Sequence, residues 1–174
     1  MRKKPGTRQT STVNTRQPMS ITASPRPPRS KALATWLALL GGPLGLHRFY
    51  LHGLGDLPGW LLPVPTAIGL WGLNRVAEFG QDDHLAWLLI PVLGFTVAAT
   101  MLQAILYGLT PDERWNARHN PGLPPEQAPR AGWSTVIGVA LALLVGAGVL
   151  MATIAFSGQR YFEYQIEEAR KLSQ

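Results

Sequence analysis

The sequence predicts an all-α integral membrane protein with about four transmembrane helices, the first two of which form a helical hairpin. Two uncharged apolar stretches, residues 85–109 and 133–156, are each longer than the roughly 20 residues that a helix needs to cross a bilayer. A third apolar stretch at residues 32–46 and a fourth, proline-rich stretch at residues 57–73 precede them. These four stretches are the predicted spans.

The composition divides the chain into four parts. Residues 1–31 contain no Asp or Glu and are rich in Pro, Ser, Thr and Arg, which is typical of a disordered basic tail. We expect a two-helix hairpin domain at residues 32–76. Two further spans follow at residues 77–157, joined by a loop at residues 110–132. Residues 158–174 are predicted to form an amphipathic tail.

Basic residues near the spans predict the orientation, because Lys and Arg favour the side that is not translocated. The basic tail, with Arg26, Arg29 and Lys31 nearest the bilayer, is expected to lie in the cytoplasm against anionic headgroups. This charge therefore indicates a lipid surface, and we expect no nucleic acid partner. Four spans would place both termini on the cytoplasmic side of the inner (plasma) membrane and residues 110–132 on the opposite side. A hairpin that does not fully span would change this arrangement, so the topology is not uniquely determined.

The end of the first apolar stretch contains the most informative motif. Gly41 and Gly45 stand four residues apart, a spacing that lets a second helix approach closely in lipid. Pro43 between them removes a backbone donor and is expected to kink the helix and redirect the residues after it. Arg48 comes next and requires a headgroup or an acid, for which Asp56 is the nearest candidate. Two interpretations remain open: an anchor at the membrane interface, or a polar latch to a second helix or a partner protein.

These residues resemble a known family. Residues 41–53, GGPLGLHRFYLHG, are similar to the first half of the two-transmembrane "TM-two" domain, whose hallmark is a glycine-rich helix end followed by an (Asp/His)-Arg-Phe turn. Residues 69–74, GLWGLN, resemble its second helix, but Asn74 stands where the family has Asp and cannot neutralise Arg48. The resemblance covers residues 31–76 and implies a helical hairpin, not a reaction. The candidate packing or interaction residues are Gly41, Gly42, Gly45, His47, Arg48, Phe49, Tyr50, Asp56, Trp71 and Asn74.

The two later spans have the features of packing helices. Gln103 is the polar amide of its span and is expected to form a hydrogen bond to another helix. Small residues recur at four-residue steps from Gly138 through Ala142 to Gly146, a stripe that fits either dimerisation or packing within the chain. In the loop between the spans, Thr110 begins a capping box that predicts a short helix, with Trp115 on the membrane surface.

The sequence favours a structural or interaction role over catalysis. Cysteine is absent, which excludes disulfides, zinc–thiolate sites and a cysteine nucleophile, and the four histidines are too scattered to predict a metal site. There is no glycine-rich phosphate loop or nucleophile elbow, so we expect no catalytic residue and no cofactor. The expected partners are the bilayer, a second copy of the chain or another membrane protein. The alternative is a small oligomeric transporter or channel with a polar path through the N-terminal hairpin.

Overall fold

A computed structural model describes residues 27–124 and 126–173, and the secondary structure within these ranges is helical. Residues 1–26, which include most of the predicted basic tail and Arg26, lie outside the described residues. The helices are α1 (Lys31–Gly41), α2 (Leu46–His52), α3 (Leu57–Leu61), α4 (Pro63–Phe79), α5 (His84–Leu109), α6 (Asp112–His119) and α7 (Trp133–Leu172), and a 3-10 turn at Gly42–Leu44 joins α1 to α2.

Helix α5 is the centre of the bundle, and α1, α4 and α7 all pack against it. Its contacts with the antiparallel α7 recur every seven residues, as in a coiled coil: Gly94 faces Thr153, and Met101 faces Gly146. A small residue on one helix meets a larger one on the other at each of these levels, so the two backbones lie close together. Ala38 of α1, Met101 and Ala104 of α5 and Ala142 of α7 complete a buried cluster where three helices meet.

Helix α1 does not cross the bundle, which differs from the span expected at residues 32–46. It has 11 residues and is therefore about 16 Å long, half the thickness of a bilayer core. Pro43 lies at the start of the 3-10 turn, and Gly45 has a left-handed backbone with φ of 75°. This pair ends the helix and reverses the chain, because neither residue suits a continuing helix. Pro43 thus redirects the following residues, as expected, but by ending the helix and not by kinking it.

Helix α2 runs back beside α1 toward the residue where α1 begins. The backbone N–H of Ser30, ahead of α1, donates to the Tyr50 hydroxyl at 2.8 Å. Leu51 near the end of α2 joins Ala34 and Trp115 in a second buried cluster. The α1–α2 pair is therefore a hairpin that enters and leaves at one end of the bundle.

Helices α3 and α4 then lead to the opposite end. They are separated only by Leu62, and the prolines at 58, 63 and 65 bend this segment. Gly69 and Gly72 of α4 lie against Leu93 and Leu89 of α5, so the glycines bring these two helices together. The chain then turns at residues 80–83 into α5.

The bundle consequently has two distinct ends. The cap end contains the start of α1, the end of α2, and the α5–α6–α7 junction, because Lys31 pairs with Asp112 and Trp115 donates to the Arg29 carbonyl. The tail end contains the α4–α5 turn and the last turns of α7, where His84 lies 3.6 Å from Glu167. The predicted C-terminal tail is a continuation of α7, and not a separate surface helix.

Two helices of the bundle, α5 and α7, are long and apolar enough to cross a membrane. Only 17% of the most apolar 18-residue segment of each helix is buried, so neither resembles the core helix of a soluble protein. Large apolar side chains such as Leu88, Leu144 and Met151 are exposed on their outer faces. Water is an unfavourable environment for such extended apolar surface, whereas the acyl chains of a bilayer accommodate it. The two strongest spans of the sequence are confirmed as long apolar helices.

Candidate functional site

Arg48 forms an ion pair with an aspartate of the same chain, across the turn between α2 and α3. Arg48 donates from Nε to Asp56 Oδ2 at 2.6 Å, and Nη2 lies 3.4 Å from the other carboxylate oxygen. The same carboxylate accepts from the backbone N–H of Gly59 and so caps α3. Hydrogen bonding to the Arg48 guanidinium lowers the pKa of Asp56 below its usual range. The expected partner of Arg48 is confirmed, and the latch that it forms joins α2 to α3 inside one chain.

A second turn at the tail end repeats this geometry. Arg75 donates from Nε to Asp83 Oδ2 at 2.6 Å and from Nη2 to Oδ1 at 3.1 Å. Asp83 caps α5 through the backbone N–H of Leu85, as Asp56 caps α3. In each turn a glycine ends the first helix with φ near +85°, namely Gly53 at 85° and its counterpart in the second turn at 87°. The two turns are therefore built in the same way at opposite ends of the bundle.

The similarity of the two turns corresponds to a sequence repeat with an offset of 27 residues. The shared pattern is Gly-x-x-Gly-Leu-x-Arg, then Gly, Asp and Trp at the same spacing. Each tryptophan donates to the carbonyl six residues earlier at 2.8 Å. Sequence reasoning did not identify this repeat, although a comparison of the chain with itself at this offset reveals it. Its members are Gly42, Gly45, Leu46, Arg48, Gly53, Asp56 and Trp60 in the first copy, and Gly69, Gly72, Leu73, Arg75, Gly80, Asp83 and Trp87 in the second.

His47 is fully buried between α2 and α5. Its Nε2 lies 2.5 Å from Gln103 Oε1, which confirms the expected interhelical hydrogen bond of Gln103. The Tyr107 ring lies 5.8 Å away, centroid to centroid. His47 Nδ1 is buried and has no hydrogen-bond partner among the described residues. A titratable ring with one unsatisfied nitrogen is thus present inside the hairpin, next to the central helix.

The glycines of the motif allow the closest approaches in the hairpin. A Cβ at Gly45 would collide with the carbonyl of Gly59, and one at Gly42 would lie 2.5 Å from Thr100. Gly41 has the Leu46 side chain against it. The expected role of Gly41 and Gly45 in close packing is therefore consistent with these contacts, but the neighbouring segments belong to the same chain.

The remaining candidate residues are divided between the two ends. Phe49 packs against Trp60 with ring centroids 5.0 Å apart and the ring planes tilted by 56°, and Tyr50 accepts the Ser30 hydrogen bond described above. Trp71 is exposed and lies 5.6 Å from the Arg75 guanidinium. Asn74 is exposed on α4, the helix that leads away from Arg48 toward the tail end. Arg48 therefore does not require an acid at position 74, because Asp56 already neutralises it.

The cap end has an ion pair that sequence reasoning missed. Lys31 Nζ lies 2.5 Å from Asp112 Oδ1 and 2.8 Å from the Thr110 carbonyl. The Lys31 ammonium, together with the backbone N–H of Ala131, lowers the pKa of Asp112. The Lys31 side chain is only 7% exposed, so its ammonium is bound inside the chain. The sequence had instead predicted that it lies against an anionic headgroup. The two residues are 81 positions apart, and no local pattern joins them.

Helix α6 closes this end. It begins at Asp112, but Pro111 is its cap residue, and the Thr110 hydroxyl donates to the Leu106 carbonyl instead of forming the expected capping box. Trp115 is buried, not placed on a membrane surface, and its indole N–H donates to the Arg29 carbonyl at 2.9 Å. The predicted short helix is confirmed, while its cap and the position of its tryptophan were wrong. The Thr110 hydroxyl is bound by the carbonyl four residues before it, so it does not cap α6.

The geometry offers no ligand set for a metal: the described residues contain no group of three or more His, Asp or Glu side chains that could hold an ion. Comparison with known proteins adds no identification, since no family model, curated protein or solved structure matches the chain. The resemblance of residues 31–76 to the TM-two domain accordingly remains a prediction. The contacts of the site itself define its chemistry: it holds charged groups in neutral pairs at both ends of an apolar bundle.

Proposed function

We propose that this chain is a multi-pass membrane protein with a structural or interaction role and no catalytic activity. The observation that carries the proposal is the pairing of charges within an otherwise apolar bundle. Lys31, Arg48 and Arg75 each meet an aspartate of the same chain. Paired charges at the ends of helices lower the cost of placing them beside lipid.

The contacts support a topology of three crossings and one hairpin that enters and leaves on the same side. The hairpin is α1–α2, the first crossing is the bent α3–α4 segment, and the others are α5 and α7. In this arrangement residues 27–31 and 110–132 share the cap side, and the C-terminal turns of α7 lie on the other side. This proposal replaces the four-span arrangement, in which residues 110–132 lie opposite the N-terminus.

The basic sequence that leads into α1 orients the three-crossing topology, because Lys and Arg favour the side that is not translocated. In the four-span arrangement Arg114, Arg118 and Arg130 would be translocated, against the tendency of Lys and Arg to stay inside. In the three-crossing arrangement they lie on the same side as the basic sequence that leads into α1, while Arg75, Arg160, Arg170 and Lys171 lie on the other side. We infer that the cap side is cytoplasmic and that the C-terminus is outside the inner membrane.

The outer face of α7 is the surface available for a membrane partner. The stripe of small residues at Gly138, Ala142 and Gly146 packs within the chain, which favours intramolecular packing over dimerisation for this stripe. Leu144 and Gly148 lie outside the stripe, and a Cβ at Gly148 would meet open space. A second copy or another membrane protein would therefore contact this outer face.

A photoreactive amino acid placed in α7 tests the interaction role in living cells. We expect a probe at Leu144 to give a protein adduct of discrete mass, either twice that of the chain or that of the chain plus one partner. A probe at the half-buried Tyr107, which packs against both buried clusters and is already aromatic, is the matched control and should give only internal products. Adducts with lipid alone at both positions would contradict an interaction role for this face.

A second candidate function, a small channel or transporter, is favoured by one observation. His47 of the α1–α2 hairpin bonds to Gln103 of α5 inside the bundle, and ionisable residues such as this histidine commonly mark ion paths in membrane domains. Flux of protons or small ions through proteoliposomes distinguishes the candidates. The structural proposal predicts no flux above protein-free vesicles. Flux that His47→Ala abolishes, and that His119→Ala outside the hairpin leaves intact, would favour the channel.

A further inference from the structure

A cavity of about 520 Å³ that is open to the surface lies between α5 and α7 at the tail end of the bundle. Cavities of this size hold small ligands or the headgroup portion of larger ones. One side of the cavity is apolar and is formed by Leu88 and Pro91. The other side contains a cation and aromatic rings with polar tips, namely Arg160, Tyr161 and Tyr164. The lining therefore changes from apolar to polar across one site, which suits an amphiphile.

Arg160 is the cation of this site. Its side chain is 16% exposed and lies over the Trp87 ring, 4.9 Å from the ring centroid. Nη1 donates to Glu163 at 2.6 Å, whereas Nε is buried and has no hydrogen-bond partner among the described residues. Nε is closed to solvent and therefore to a ligand in the cavity, but Arg160 lines the cavity and its guanidinium has five N–H donors, of which the bond to Glu163 uses one. An oxygen-rich anionic group is the ligand chemistry that suits this guanidinium.

Two acids stand close to the cavity. Glu163 binds Arg160, and Glu167 lies 3.6 Å from His84. The rim therefore contains both signs of charge and does not provide the excess of positive charge that selects a purely anionic ligand. Tyr161 and Tyr164 are both exposed at the same rim. Carboxylates and aromatic rings together favour an ammonium group.

We propose that this cavity binds the headgroup of a zwitterionic phospholipid with a free ammonium group. The phosphate is placed at Arg160, the ammonium at the acidic and aromatic rim, and the first part of an acyl chain along Leu88 and Pro91. The inference rests on the proposed membrane placement, which puts the tail end at a bilayer surface. It gives residues 157–164 of α7 a ligand, and it assigns the cavity to a lipid and not to a soluble substrate.

Native mass spectrometry of the delipidated full-length protein in detergent tests the proposal. The probe is dihexanoyl phosphatidylethanolamine, and the comparison ligands are dihexanoyl phosphatidylglycerol and inorganic phosphate. We expect the ethanolamine lipid to bind with a stoichiometry of one and at least about tenfold more tightly than either comparison ligand. Equal binding of the glycerol lipid would overturn the assignment of a zwitterion. Equal binding of inorganic phosphate would overturn the assignment of a lipid.

Variants identify the site. Arg160→Gln should weaken ethanolamine lipid binding about tenfold or more, because the phosphate loses its charged donor. Arg170→Gln is the matched control, since it removes the same charge from an exposed position of the same helix and should leave binding unchanged. Leu88→Trp fills the cavity from its apolar side without altering any charge and should also weaken binding. Unchanged binding in both Arg160→Gln and Leu88→Trp, with gel-filtration profiles like that of the parent protein, would overturn the site.

The lipid-binding measurement does not depend on the proposed topology. Cysteine labelling decides which end of the bundle lies on which side of a membrane, whereas lipid binding in detergent reports on the cavity alone. Failure of the lipid proposal with the three-crossing topology intact would leave the proposed function standing. The reverse result would show a lipid site in a bundle placed differently in the membrane.

Discussion

Removing the Lys31–Asp112 pair is the most informative single perturbation of the fold, because this pair joins the start of α1 to the α5–α6 junction. We consider Lys31→Met, Asp112→Asn and the double variant. Methionine keeps the apolar stem of the lysine, and asparagine keeps the shape of the aspartate, so the changes act mainly on charge. Each single variant leaves the other residue without its partner.

The size of the effect follows from the burial of the pair. Exposed ion pairs contribute about 0.2–1 kcal/mol, whereas breaking a buried pair by removing one partner costs about 3–5 kcal/mol. The Lys31 side chain is 7% exposed and that of Asp112 is 36% exposed, which places this pair between the two cases. We expect each single variant to lose about 2 kcal/mol. The double variant should lose less than the sum of the two, because no unpaired charge remains.

Thermal unfolding of the four proteins in one detergent measures the coupling. Lys171→Met is the matched control, since its pair with Glu168 has side chains 67% and 45% exposed, and it should leave the stability unchanged. The contact between α1 and the α5–α6 junction would be refuted if the stability loss of the double variant equalled the sum of the two single losses. It would also be refuted if Lys31→Met were as stable as Lys171→Met.

Three further predictions concern the turn, the helix seam and acid. Gly45→Ala should destabilise the protein by more than about 1 kcal/mol in thermal unfolding, because φ of 75° disfavours a side chain and the new Cβ meets a backbone carbonyl. Gly148→Ala is the control: this residue lies in a helix and faces open space, so the change should be neutral or stabilising. Gly146→Leu should separate α7 from α5 and lower the melting temperature, and a melting temperature equal to that of the parent would contradict the observed seam. The folded-state pKa of Asp112 is lowered, so its contribution to stability is present above its unfolded-state pKa of about 3.9 and is lost as pH falls through the lower folded-state pKa. Stability measured between pH 6 and about pH 2 should show this loss in the parent protein. A pH profile of the same shape in Lys31→Met would contradict the prediction.

Periodicity and apolar length predicted the parts of the fold that depend on local sequence. Both long apolar helices are present, and α5 begins one residue from the predicted start of its span. The pairing of Arg48 with Asp56 was also predictable, because eight residues and a glycine turn bring the two side chains together. Gln103 was recognised as a residue that needs a polar partner, but its sequence context did not indicate His47.

The path of the first hairpin was not predictable from hydropathy. An apolar stretch at residues 32–46 has nearly the length of a span, and only the reversal at Pro43 and Gly45 shows that it turns back. The Lys31–Asp112 pair and the burial of Trp115 depend on contacts between residues about 80 positions apart. The repeat at an offset of 27 residues was visible in the sequence, but its meaning depends on two turns that lie at opposite ends of the bundle.

Single-cysteine labelling in intact cells tests the three-crossing topology most directly, because the natural chain has no cysteine. The probes are Pro28→Cys, Gln127→Cys, Gln81→Cys and Ser173→Cys, all at exposed positions. We predict that positions 28 and 127 are protected from an impermeant reagent, while positions 81 and 173 are labelled. Protection of position 28 with labelling of position 127 would restore the four-span arrangement and contradict the hairpin that returns to its own side.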